Sequence, residues 1–146
     1  MKINKPSDWV IMSATSHQAD FAVLNPVEAE LLLRKIDTAY AHEGIGTLWE
    51  RMHDQLSVQS TDGWTRIDDF VNRMAFILFF EKRDDSTMIA FPNGTRLTPI
   101  LSECPLFEFY VTDDAASFVV CFNHHDFLIG TGQATSWISS LSAELL

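Results

Sequence analysis

L-F-E-F-Y-V-T-D-D-A-A-S-F-V-V-C-F-N-H-H-D-F-L-I-G-T-G, from Leu106 to Gly132, holds the densest apolar runs, the sharpest turns and the candidate chemistry of this 146-residue chain. Leu106 to Val111 and Ser117 to Phe122 are aromatic and β-branched. Thr112 to Ala116 between them is short and polar, which predicts a hairpin. Phe107, Phe109 and Val111 fall on one face of the first strand, and Leu106, Glu108 and Tyr110 on the other. Both faces are largely apolar, so the pair is expected mid-sheet or under helices on at least one side. Asn123 to Asp126 then breaks the pattern and Phe127 to Ile129 resumes it. N-H-H-D therefore reads as the tip of a second tight hairpin, held by its own Asn and Asp side chains. The consequence is an exposed pair, His124 and His125, on a rigid mount.

That pair admits three readings: turn residues, a binding hot spot, or acid/base or metal-binding groups acting with Asp126 and Cys121. Side chains adjacent on a strand point to opposite faces, so the two imidazoles converge only if the turn rotates one of them. Cys121-x-x-His124 is half of a zinc spacing, and the chain lacks the other half. Cys121 itself lies in an apolar run and reads as a small core residue. No metal or cofactor is expected. After Ile129, G-T-G precedes an apparent helix, Ala134 to Leu146, in which Trp137, Ile138, Leu141 and Leu145 recur at helical spacing. Strand, G-x-G and helix resemble the opening of a dinucleotide site. That site also needs a further strand and an acidic residue about 20 positions on, so the glycines are read as the turn from sheet to helix.

From Phe107 to Trp137 the order is an F-E-x-Y-V strand, a hydrophobic strand, N-H-H-D and a helix carrying Trp. This resembles the C-terminal half of small uncharacterised bacterial proteins, grouped as a domain of unknown function. Small acidic proteins of this general kind include ones regarded as immunity proteins against secreted toxins. The resemblance implies no catalytic activity.

Twenty acidic against ten basic residues give a net charge of −10, and 47% of the residues are hydrophobic. That composition predicts one folded α+β domain over residues 1–146 rather than a disordered acidic segment. Its field repels phosphate backbones and anionic lipid and attracts basic proteins. Cys104 and Cys121 do not make a disulfide framework, the N-terminus has no apolar signal region, and no run is long enough to cross a membrane. A cytoplasmic protein is expected.

Along the chain, Trp9 to Met12 is expected as a short strand or an apolar arm, and Ser13 to Asp20 as loop. Asn25, Pro26 and Glu28 mark a helix start, and Leu32, Ile36, Ala39 and Tyr40 its apolar stripe. Thr47 and Glu50 form a capping box for a short second helix. Asp62-Gly63 predicts a hairpin or a loop, and Asp68 to Met74 one or two helical turns. Phe76 to Phe80 and Thr87 to Phe91 read as strands joined by a charged turn; Thr95 to Ile100 reads as another, cut by Pro99. The expected architecture is N-terminal helices, a mainly antiparallel meander and a C-terminal helix.

Acidic pairs recur at turns or element starts: Asp68-Asp69, Asp84-Asp85 and Asp113-Asp114. The leading expectation is a non-catalytic, protein-binding module for a basic partner, such as an immunity protein that neutralises a basic toxin. Its contact residues would be Asp84, Asp85, Glu108, Asp113, Asp114, His124, His125 and Asp126. The alternatives are a small metal-dependent or His-based enzyme built on His124, His125 and Asp126, and a subunit of a larger assembly.

Overall fold

Residues 5–145 are described by the computed structural model; Met1 to Asn4 and Leu146, over which the sequence reading extends, lie outside them. Helix α1 (Pro6–Ser16) replaces the strand or arm and the first half of the loop expected there. Lys5 is extended, Pro6 takes the first helical position, and the Asp8 carboxylate accepts the Lys5 N–H at 3.3 Å. Val10 and Ala14, four residues apart, are fully buried. The run W-V-I-M misleads because four consecutive apolar residues carry no period. Strand β1 (Ala22–Val23) leads into α2 (Pro26–Tyr40), whose capping box forms as expected: Asn25 Oδ1 accepts from Glu28 N and Glu28 Oε1 from Asn25 N. Leu32 and Ile36 are buried, whereas Ala39, expected in the stripe, is exposed.

Helix α3 (Leu48–Arg51) is a single turn, and β2 (Leu56–Gln59) follows. Asp62-Gly63 makes no hairpin: Asp62 has φ −99°, whereas the two-residue hairpin turn needs positive φ at both positions. Gly63 instead opens a 3-10 turn (Gly63–Arg66) that runs into α4 (Ile67–Val71). Then come β3 (Phe76–Phe79), β4 (Ile89–Phe91) and α5 (Leu97–Ser102), the last where Thr95 to Ile100 is expected as a strand. The Asp68 carboxylate causes that difference by accepting the Leu97 and Thr98 N–H groups, each at 2.8 Å. These are donors that a helix start leaves unpaired. Pro99 fits there because a first turn has no use for its missing N–H.

Strands β5 (Phe109–Thr112), β6 (Phe118–Phe122) and β7 (Phe127–Gly132) precede α6 (Thr135–Glu144). One seven-stranded antiparallel sheet results, in the order β1-β4-β3-β5-β6-β7-β2. The fold is α+β. The expected meander holds for β5, β6 and β7; β4 instead folds outward, so β3 pairs with β5. Phe109, Val111, Val120, Phe122 and Leu128 pack against α1, α4, α5 and α6, while Tyr110, Val119, Cys121 and Ile129 pack against α2 and α3. Covered on both faces, the strands read as continuous apolar runs.

The two glycines of G-T-G act differently. Both lie in β7, where Gly132 has φ +64° and turns the chain toward α6. A Cβ on Gly130 would lie 2.7 Å from Ile138 Cγ1, so Gly130 allows close helix contact instead. Strand polarity sorts the connections. The turn Asn123–Asp126, the β3–β4 loop and the approach to β5 share one end of the sheet, and the β5–β6 turn lies at the other.

Candidate functional site

The turn between β6 and β7 is built from Asn123. Its side chain is buried, and Oδ1 accepts the His125 N–H at 3.0 Å and the Phe127 N–H at 3.1 Å. Asp126 closes the turn in the left-handed region, φ +62°, donating its N–H to the Asn123 carbonyl. His124 and His125 are both exposed, as expected, but they do not diverge as strand neighbours would. The turn rotates them together, with ring centroids 3.9 Å apart and planes inclined by 45°.

The carboxylate that engages His124 is Glu108, not Asp126. Glu108 Oε2 accepts the His124 backbone N–H at 3.2 Å and lies 2.9 Å from His124 Nδ1. Glu108 Oε1 accepts the Trp49 indole N–H at 3.0 Å, and the indole stands 6.4 Å from each imidazole. Glu108 is sheltered, its side chain 17% exposed, whereas His124 is 63% exposed and meets solvent.

Trp49 is fixed from its backbone as well. The Tyr110 hydroxyl, fully buried, accepts the Trp49 N–H at 3.1 Å and donates to the Glu81 carboxylate. Glu81 in turn accepts the Leu48 N–H at 3.0 Å, so the single turn of α3 is clamped onto the sheet by two strand-side groups. Burial, then the nearby Cys121 and the Glu81 charge, raise the Tyr110 hydroxyl far above its ordinary value and keep it a donor. Burial likewise raises the Cys121 thiol well above its ordinary value, with Glu108 and Glu81 adding to the effect. Cys121 is therefore a neutral core group rather than a thiolate ligand or nucleophile.

Between α3 and β7 lies an open cleft of about 500 Å³, walled by Trp49, Phe127 and His125, with Glu50, Gln55, Ser57 and Asn123 supplying polar atoms. Glu50 sits below its ordinary carboxyl range, held by hydrogen bonds from the Thr47 hydroxyl and N–H and by the charges of Arg83 and His124. A groove of about 420 Å³ at the other edge of the sheet is lined by Val23, Ala29, Leu33 and Met88. Its charges are already paired, Lys82 with Glu30 at 2.8 Å.

The acidic pairs are divided by the fold. Asp84 is exposed at the His124 end, 3.7 Å from Arg83. Asp85 is 2% exposed, and its carboxylate accepts the Ser7 N–H at 2.9 Å and the Thr87 N–H at 3.1 Å. It ties α1 to the β3–β4 loop and offers no surface. Asp113 Oδ1 accepts the Ser117 N–H within its own turn, and Asp114 is exposed beside it, both at the far end of the sheet. The Asp126 carboxylate makes no hydrogen bond among the described residues. Asp68 caps α5 and Asp69 pairs with Arg66 at 3.0 Å. Glu108, His124, His125 and Asp84 thus share one end of the molecule with Asp126, and Asp113 and Asp114 do not.

Sequence reasoning missed Trp49, Glu50, Glu81 and Tyr110 as parts of this site. The available signal was the placement of Glu108 and Tyr110 on one strand face. Nothing local announced that α3 docks there. Among the described residues, no group of three or more His, Cys, Asp or Glu is placed to hold a metal ion, and no helix is long and apolar enough to cross a membrane. Comparison with protein-family models, curated proteins and solved structures finds no match to this chain.

Proposed function

We propose that this chain is a non-catalytic module that binds a basic protein through the end of the sheet bearing Trp49, Glu108, His124 and His125. The observation that carries the proposal is the sheltered Glu108 carboxylate, which fixes an indole and an imidazole at the surface in one geometry. Ordered aromatic groups lose little conformational freedom on binding and recur at the centres of protein interfaces. Glu50, Asp84 and Asp126 surround them with negative charge, and the net charge of −10 adds a field that steers a basic partner to the face. An immunity protein neutralising a basic toxin in the cytoplasm is the form of this function that the resemblance favours. Two unpaired cysteines fit a reducing compartment.

The test is capture from native lysate at low and high salt, using the wild type, a Glu50→Lys/Asp84→Lys variant, and an Asp113→Lys/Asp114→Lys control altered at the opposite end. A basic protein held at low salt by the wild type and the control, and released by the first variant, supports the proposal. Retention indifferent to which end is altered opposes it.

One observation favours a second reading. Glu108 beside His124 Nδ1 is the arrangement by which a carboxylate orients an imidazole for general-base work. No Ser, Thr or Cys side chain hydrogen-bonds His124 among the described residues, so the base would act on water or on the substrate directly. Turnover abolished by His124→Ala and kept by His125→Ala would establish this reading.

A further inference from the structure

We infer that the cleft between α3 and β7 receives an arginine side chain of the partner, with Glu50 as its counter-charge. The inference deepens the reading of this end as the contact face for a basic protein and rests on it. Its basis is what lines the cleft: one ionised carboxylate (Glu50), three neutral polar side chains (Gln55, Ser57 and Asn123), aromatic walls and, among the described residues, neither Lys nor Arg.

Glu50, Gln55 and Ser57 each have an acceptor to spare, while Asn123 Oδ1 already takes the His125 and Phe127 N–H groups. Glu50 Oε1 takes both Thr47 donors, at 3.1 and 2.7 Å, and Oε2 has no hydrogen bond among the described residues. The Gln55 amide nitrogen is committed to the carbonyls of Trp49, at 2.9 Å, and Met52, at 2.8 Å, which leaves its oxygen over. Ser57 is exposed on edge strand β2, and its hydroxyl makes no hydrogen bond among the described residues. Three acceptors around one negative charge suit a donor-rich cation, and arginine carries five N–H groups and no acceptor.

The walls separate arginine from lysine. A planar guanidinium stacks on indole and imidazole faces, whereas an ammonium is a compact and strongly hydrated charge. The apolar stem of the side chain would lie along Phe127 above the buried Ile129. Arg83, whose charge reaches Glu50, does not compete: it lies 3.7 Å from Asp84 and outside the cleft lining.

The experiment is an amide and indole NMR titration of the full chain with N-acetyl-arginine methylamide, and with the lysine and leucine analogues as comparisons. The expected result is a saturable shift of the Trp49 indole N–H with the arginine probe. Binding should weaken several-fold for the lysine probe and about tenfold in Glu50→Gln. Glutamine at this position keeps the capping box, and an unchanged amide spectrum elsewhere verifies the fold. No saturable Trp49 shift, equal binding of the leucine probe, or unchanged affinity in Glu50→Gln would overturn the inference. A basic partner that is still captured, with salt dependence, by a chain whose cleft ignores the arginine probe removes the arginine assignment alone. Loss of that capture removes the contact face itself.

Discussion

Glu108 and His124, sixteen residues apart, are joined twice: one carboxylate oxygen lies 2.9 Å from the imidazole Nδ1 and 3.2 Å from the backbone nitrogen of the same residue. The other oxygen holds the Trp49 indole, so removing one side chain should release two surface groups. Glu108→Ala is expected to destabilise the protein by about 1–2 kcal/mol, the cost of unmaking hydrogen bonds to a charged acceptor. It should also collapse the chemical-shift difference that sets the Trp49 indole N–H apart from an exposed tryptophan. A shifted indole with full stability would place Glu108 in surface ordering alone.

Tyr110 makes the link between sheet and α3. Tyr110→Phe removes the acceptor of the Trp49 N–H and a donor to Glu81 while keeping the ring stacked on Phe79, 5.0 Å away. The expected loss is about 1–3 kcal/mol, because the groups left behind are partly buried. Chemical denaturation measures it. Amide exchange at Leu48 and Trp49 should accelerate more than exchange in β5.

Alkaline pH should destabilise the fold through its sheltered thiols and phenol. Burial, then the Glu103 charge, push Cys104 up from its ordinary 9.0 to about 11, and Cys121 and Tyr110 are also raised. The unfolded chain releases these protons at lower pH than the native one. Their contribution is therefore complete below pH 9.0 and is lost as pH rises through the folded values. The denaturant midpoint should fall between pH 9 and about 11, and Cys104→Ala should flatten that part of the curve.

The neighbours Asp84 and Asp85 should behave oppositely. Asp85→Ala strands the Ser7 and Thr87 N–H groups and is expected to cost about 1–3 kcal/mol, while Asp84→Ala, at an exposed position, should stay within about 0.5 kcal/mol of the wild type. Thermal melts of the two variants decide this.

Gly130→Ala should be destabilising by about 1–3 kcal/mol through overpacking, since the added methyl would meet Ile138 Cγ1 at 2.7 Å and Ala134 Cβ at 3.1 Å. Gly132→Ala should be worse. It adds a left-handed backbone to a clash 2.7 Å from the Ser117 carbonyl and 2.6 Å from the Tyr40 hydroxyl. A melting series over both positions checks the order.

The parts of the fold legible in the sequence were those carried by local chemistry. Asn25-Pro26 and Thr47-Glu50 announce helix starts because each cap satisfies its own backbone, and the β5–β6–β7 hairpins follow from apolar runs parted by turn residues. Elements whose cause lies elsewhere in the chain were misread. Helix α5 begins where Asp68 supplies a carboxylate from 29 residues away, and β2 crosses to pair with β7 at the edge of the sheet. The site divides in the same way. Asn123, His124 and His125 were visible as a turn, while the approach of Trp49 and the choice of Glu108 over Asp126 depend on α3 docking against Tyr110.

The most direct test of the central claim is amide hydrogen exchange on the full chain, free and in complex with the captured basic protein. Slowed exchange is expected to be confined to the His124 end, over residues 47–50, 81–84, 108 and 123–127. Protection centred on the β5–β6 turn at residues 113–117 would contradict it.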